Sequence, residues 1–186
     1  MTPTAPVKPG SLRSEQIILF RIGEQLFALS SASVQEVRGA DSLSGGATEI
    51  DAPGVEKVRQ FVRRGNNTLF LVSGAAHFGL PASDGILAFV LRNTRTALLV
   101  DNIEKMTAMT RLQALPLSFC HEERQWYRGL TALDQTVVPV VRPEGFLSDD
   151  ELVMLDAALP PPEVLSEETE EEAEAEKDTD LGTELN

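Results

Sequence analysis

Ile17-Ile18-Leu19-Phe20-Arg21-Ile22, then Gly23-Glu24, then Gln25-Leu26-Phe27-Ala28-Leu29 is the stretch whose reading decides the fold. Two short apolar runs flank a two-residue connection containing a glycine, which is the pattern of a β-hairpin. The same grammar recurs along the chain. Phe61-Val62-Arg63 and Thr68 to Val72 flank Arg64-Gly65-Asn66-Asn67, whose glycine and asparagines tolerate positive φ. Ile86 to Arg92 and Thr96 to Asp101 flank Asn93-Thr94-Arg95, and Leu130 to Leu133 and Thr136 to Val141 flank Asp134-Gln135. With Val34 to Arg38 this makes eight or nine short strands at regular spacing, an all-β barrel or sandwich.

Two further signals refine that class. Ile18-Leu19-Phe20-Arg21-…-Phe27-Ala28-Leu29 is similar to Phe89-Val90-Leu91-Arg92-…-Leu98-Leu99-Val100, with the arginine at the same point before the turn. This weak internal repeat predicts two similar small sheets or barrels in place of one large one. Ser148-Asp149-Asp150-Glu151 before Leu152-Val153-Met154-Leu155 has serine at the N-cap and glutamate at N3, a capping box opening a short terminal helix.

The chain of 186 residues is long enough for one domain with a real core. Its formal charge of −13 is unevenly spread: residues 163–186 hold 11 acidic residues against Lys177, a net −10, leaving about −3 elsewhere. The division expected is a disordered leader over 1–14, a folded domain over 15–158, and a disordered acidic tail over 159–186 entered through Pro160-Pro161-Pro162. Neither part carries the basic face that phosphate binding needs, which argues against nucleic acid. No run approaches the roughly 20 apolar residues of a spanning helix. The single Cys120 and an N-terminus without a signal-peptide core predict a cytoplasmic chain.

Candidates for chemistry are few. His77 has no cysteine or carboxylate at metal-ligand spacing, Cys120 and His121 point apart as chain neighbours, and Glu122-Glu123 cannot converge on one bond. No phosphate-cradling glycine loop exists. Trp126 and Tyr127, the only residues of their kinds, read as an aromatic pair covering core. The composition is that of a binding module, not an enzyme, with no cofactor and no metal expected.

The run Phe20-x-Ile22-Gly23-Glu24-x-x-Phe27-Ala28-Leu29-x-x-x-x-Val34-Gln35-Glu36-Val37-Arg38-Gly39 resembles the opening of the CheW-like domain. The resemblance continues through Arg64-Gly65, Phe78-Gly79-Leu80-Pro81, Leu99-Val100-Asp101-x-Ile103, Tyr127-Arg128-Gly129-Leu130 and Val137-Val138-Pro139-Val140 to the helix at Leu152 to Asp156. It implies two small five-stranded β-barrels side by side around a shared apolar core, with a short C-terminal helix. It implies a non-enzymatic adaptor at membrane-associated receptor arrays, coupling the cytoplasmic tips of chemoreceptors to the regulatory domain of a CheA-type histidine kinase. By position Val34, Glu36 and Arg64 would contact receptor or kinase, with Gly65 shaping the turn beside them. Val34 and Glu36, two apart on a strand, are expected on one exposed face.

This sequence departs from the family pattern in the large and charged residues of Lys57 to Arg64, in Ser73, and in Arg142-Pro143. Those departures leave a second reading, a divergent module of another pathway, pilus-linked motility for example. Such a module would bind the kinase or array neighbours without binding receptors.

Overall fold

A computed structural model describes residues 14–65 and 67–161. The leader, apart from Ser14, and the tail beyond Pro161 lie outside the described residues. Among the described residues eleven strands form two sheets. The first hairpin is β1 (Glu15–Ile22) and β2 (Gln25–Ser30), followed by β3 (Val34–Gly39), the short helix α1 (Ala40–Ser44) and β4 (Thr48–Glu49). The hairpin β5 (Val58–Arg64) and β6 (Asn67–Ser73) leads into α2 (Gly74–His77). A third hairpin, β7 (Leu87–Leu91) and β8 (Thr96–Val100), precedes β9 (Asn102–Met109) and α3 (Glu123–Trp126). The last hairpin is β10 (Tyr127–Leu133) and β11 (Thr136–Val141), and α4 (Asp149–Ala158) closes the domain.

The hydrogen-bonded orders are β10-β11-β2-β1-β9, five strands, and β3-β7-β8-β6-β5-β4, six. Both share one plan. Reading β9-β1-β2-β11-β10 beside β3-β7-β8-β6-β5, the pairings run antiparallel, antiparallel, parallel, antiparallel in each. The internal repeat seen in the sequence is therefore a repeat of structure. Each half of the chain places one hairpin in one sheet and sends its next strands to the other: β1-β2 is followed by β3 in the opposite sheet, and β7-β8 by β9.

The pairings also correct the sequence alignment of the repeat. Leu19 pairs with Ala28 and Val90 with Ala97, so the first arms match as aligned while the second arms are displaced by two residues. The displacement arises at the tips. Gly23-Glu24 turns between Ile22 and Gln25, whereas the other hairpin turns at Asn93, where φ is 57°.

Both sheets curl. In the six-stranded sheet the chain after β3 returns as β4 to pair Thr48 with Phe61 of β5. In the five-stranded sheet the chain after β9 returns so that Gln113 bridges to Leu130 of β10. Curling explains why runs such as Ile17–Phe20 are apolar without alternation: both faces are buried. Ile17, Leu19, Ala28, Val138 and Val140 fill the inside of one sheet. Leu43, Leu69, Leu71, Ala88, Val90 and Ala97 fill the inside of the other. The outer faces meet in a shared core of Ile18, Phe20, Ile22, Phe27 and Leu29 against Phe61, Phe70, Val72, Phe89 and Leu98. Helix α4 opens on the expected capping box, with Ser148 Oγ accepting from the Glu151 amide, and buries Leu155 in that core.

Candidate functional site

Glu36, Arg64 and Gly65 come together at one mouth of the six-stranded sheet. Glu36 lies on β3 and Arg64 closes β5, with β7, β8 and β6 between them in the hydrogen-bonded order. Strands about 4.8 Å apart would hold those positions roughly 19 Å apart in a flat sheet. Curling brings them into contact, and Arg64 Nη1 donates to Glu36 Oε1. The second carboxylate oxygen accepts from Arg38 Nε at 2.9 Å. With Arg64 the larger influence and Arg38 the second, the carboxyl is held below the usual glutamate range. About a quarter of the Glu36 side chain remains exposed (27%), so the clasped carboxylate faces solvent from the rim. Gly65 turns the chain beside it at φ 57°, a conformation that favours glycine, with open space where a Cβ would stand.

Val34 does not share that face. The expectation that Val34 and Glu36 point the same way is overturned by a β-bulge: Val34 pairs with Leu91, but Glu36 pairs with Val90, the next residue along β7. One extra residue on β3 breaks the alternation. Val34, 8% exposed, joins Leu91 in the shared core, while Glu36 follows Val90 toward the inside of the curled sheet. Arg38, absent from the sequence-based set, belongs to the cluster. The Glu-x-Arg spacing on one strand was the available signal, since residues two apart in regular strand share a face.

The other residues weighed for chemistry are structural. His77 is buried against Phe78, Trp126 and Phe146, with ring centroids 4.7, 4.8 and 5.0 Å away. Burial, and then the nearby Lys57, push its pKa down to about 3, so the ring is neutral. Lys57 in turn bonds Glu151 at 2.7 Å, tying α4 to this aromatic cluster. Trp126 and Tyr127 extend the cluster over the core, as their reading from the sequence had it. Cys120 and His121 make no pair: the Cys120 amide donates to Glu123 Oε2 at 2.8 Å, and His121 Nε2 lies 3.5 Å from Gln125 Nε2. Among the described residues no group of three His, Cys, Asp or Glu side chains could hold a metal. Among them, too, no helix is long and apolar enough to cross a membrane.

The order of these parts matches a known family model, the CheW-like domain, over residues 16–151. The chain belongs to the CheW-like domain family. It is 28% identical over 152 residues to a "Probable chemotaxis protein CheW" of Rhizobium etli, a match covering 78% of this chain and 95% of that protein. Its fold is similar to the crystal structure of the scaffolding protein TtCheW from Thermoanaerobacter tengcongensis, with a TM-score of 0.60 at 12% identity. That match covers 81% of this chain and 96% of the other. The CheW-like family is one of non-enzymatic scaffolds, and this chain is a scaffold of that family.

Proposed function

We propose that this protein is a cytoplasmic adaptor coupling the cytoplasmic tips of chemoreceptors to the regulatory domain of a CheA-type histidine kinase at membrane-associated arrays. The observation that carries the reading is the Glu36 carboxylate, held between Arg38 and Arg64 on an exposed rim of the six-stranded sheet. Three charges fixed against one another form a directional polar surface. Such a surface discriminates partners and fixes register more than it adds affinity. Gly65 leaves the approach open, and Val34 supports the strand from the core side. Each curled sheet, with its returning segment at the open edge, acts in this reading as a small barrel that holds the rim rigid.

The test is binding of Glu36→Lys to receptor-tip fragments and to the kinase regulatory domain, alongside a thermal melt. The expected result is at least a tenfold loss, about 1.4 kcal/mol, for one of them in a folded protein. Unchanged affinity for both would remove the rim from the contact surface. A second reading is favoured by the burial of Val34. With that apolar side chain withdrawn from the rim, the surface suits a polar protein face better than an apolar receptor helix. In that case the chain binds the kinase or array neighbours without the receptor, and Glu36→Lys affects kinase binding alone.

A further inference from the structure

The six-stranded sheet has a second opening, at the end of β5 away from Arg64. Gln60 stands four residues before Arg64, roughly 13 Å along the strand. Here β4 stops at Glu49 after two residues, and Asp51, Glu56 and Lys57, from the connection back to β5, line the opening. Glu49 pairs with Gln60 and Gln60 with Leu71, so all three point to the inside of the curl, where Leu71 joins the apolar filling. Ser73 and Leu99 pair across the parallel strands β6 and β8 to form the far side. The result is a cleft of about 890 Å³, the size of a ligand or peptide site.

Its floor is apolar and reachable. Leu99 and Leu80 are half-buried, with Ala76 and Ala82 exposed beside them. One wall is set by a glycine: Gly85 has φ 60°, and a Cβ there would stand 2.9 Å from Leu99 Cβ, so the loop carrying Asp84 lies directly against that leucine. The rim is acidic. Glu49, Asp51, Glu56 and Asp84 line it against Lys57 and Arg59, and Lys57 is already bound to Glu151. Among the described residues Glu49, Asp51 and Asp84 are exposed and make no ion pair. Gln60 brings an amide, donor and acceptor both, to the same wall.

We propose that this cleft takes a short basic, amphipathic segment of a partner protein. One leucine-sized side chain seats on Leu99 and Leu80, and Lys or Arg on either side of it meets Glu49, Asp51 and Asp84. Complementary charge selects the segment, and the apolar floor holds it. A bare polycation would leave the floor uncovered, an uncharged apolar ligand would leave the rim without partners, and the Gln60 amide suits a peptide main chain. The site is separate from the Glu36–Arg64 rim and does not rest on the coupling function proposed above.

The experiment titrates the isotope-labelled full chain with a peptide amide, acetyl-Gly-Lys-Arg-Leu-Arg-Lys-Gly, and follows backbone amide shifts. The expected result is saturating shifts at Gln60, Leu71, Ser73, Asp84 and Leu99, and none at Lys105 or Asp134. Binding should weaken at least tenfold when serine replaces the peptide's leucine, and should weaken at 1 M salt, where the screening length is about 3 Å. Glu49→Gln, Asp51→Asn and Asp84→Asn together, all at exposed positions, should weaken it at least tenfold with the amide pattern elsewhere unchanged. The serine peptide and the salt series decide the matter without any variant. Shifts that are absent from the cleft, or confined to the acidic residues 163–186, overturn the proposal. So do cleft shifts that the serine peptide or spermidine produces equally, because the site is then one for charge alone. Cleft shifts that appear on raising the protein concentration without peptide overturn it too, because the occupant is then a second copy.

Discussion

Glu36 and Lys105 hold the same place in the two sheets, yet they carry opposite charge. Glu36 on β3 pairs with Val90, and Lys105 on β9 pairs with Leu19, the residue that corresponds to Val90 in the repeat. Both stand beside a bulge at the same register. Each reaches across the mouth of its curled sheet to a hairpin tip, Glu36 to Arg64 and Lys105 to Asp134. The two clasps differ in tightness. Glu36 and Arg64 are 27% and 34% exposed and Arg38 joins them, whereas Lys105 and Asp134 are 55% and 88% exposed and 3.4 Å apart. The repeat therefore carries the backbone plan, bulges included, and leaves the charge at the mouth free to diverge. A backbone position defines where a rim residue stands; its neighbours decide whether it is a fixed feature or a solvated one.

The largest expected effect tests whether the two sheets stand or fall together. Phe20 comes from one sheet and meets Phe89 of the other edge to face, with centroids 5.3 Å apart. Phe20→Ala should cost about 3–5 kcal/mol. Chemical denaturation followed by Trp126 fluorescence and by circular dichroism should still show one coincident transition. Two separated transitions would mean that the sheets are independent units.

A double-mutant cycle compares the clasps directly. The Glu36–Arg64 coupling should approach about 1 kcal/mol, because a third charge orders the pair, while Lys105–Asp134 should stay within about 0.5 kcal/mol. Equal couplings would erase the distinction drawn between them.

Acid titration refines it further. Glu36 has a lowered folded pKa, so its contribution is fully present above the ordinary glutamate value of 4.5 and is lost only as pH falls below it. The carboxyl carbon shift of Glu36 should titrate below 4.5 in the native protein and at the ordinary value in Arg64→Ala/Arg38→Ala. A wild-type midpoint at or above 4.5 would contradict the clasp.

The smallest effect is expected from cutting the chain after Pro161. The stretch removed carries 11 carboxylates against Lys177 and few apolar side chains, so the melting transition should move by no more than about 0.5 kcal/mol. A larger shift would show the tail contributing to the fold.

Much of this architecture was legible in the residues, for identifiable reasons. The hairpins were marked by their turns: Gly23 and Gly65 adopt positive φ, as do Asp134 and Gln135 in the two-residue turn between β10 and β11. The capping box named the start of α4. What escaped notice lacked a local signal. Strand β9 is an edge strand with most residues at least partly exposed, so no apolar alternation announced it, and β4 is two exposed residues long. The bulge on β3 has no Gly or Pro to mark it, and it reversed the face assigned to Val34. The meeting of Glu36 with Arg64 depends on curling across three intervening strands, which no spacing along the chain encodes.

The exchange of strands between the sheets has a consequence for how the chain can be divided. A cut in the loop before β7, near Ser83, would not release one sheet per fragment. The first fragment would hold β1 and β2 of one sheet and β3 to β6 of the other, and the second would hold the complements. Each fragment alone would present unpaired edges at β1, β2, β3 and β6, or at β7, β8, β9 and β11, with the Phe20–Phe89 face open to water. Neither has a core of its own to fold around. Mixed together they should reassemble, much as two half-zips close only against each other, and the molecule is in this sense a dimer written on one chain.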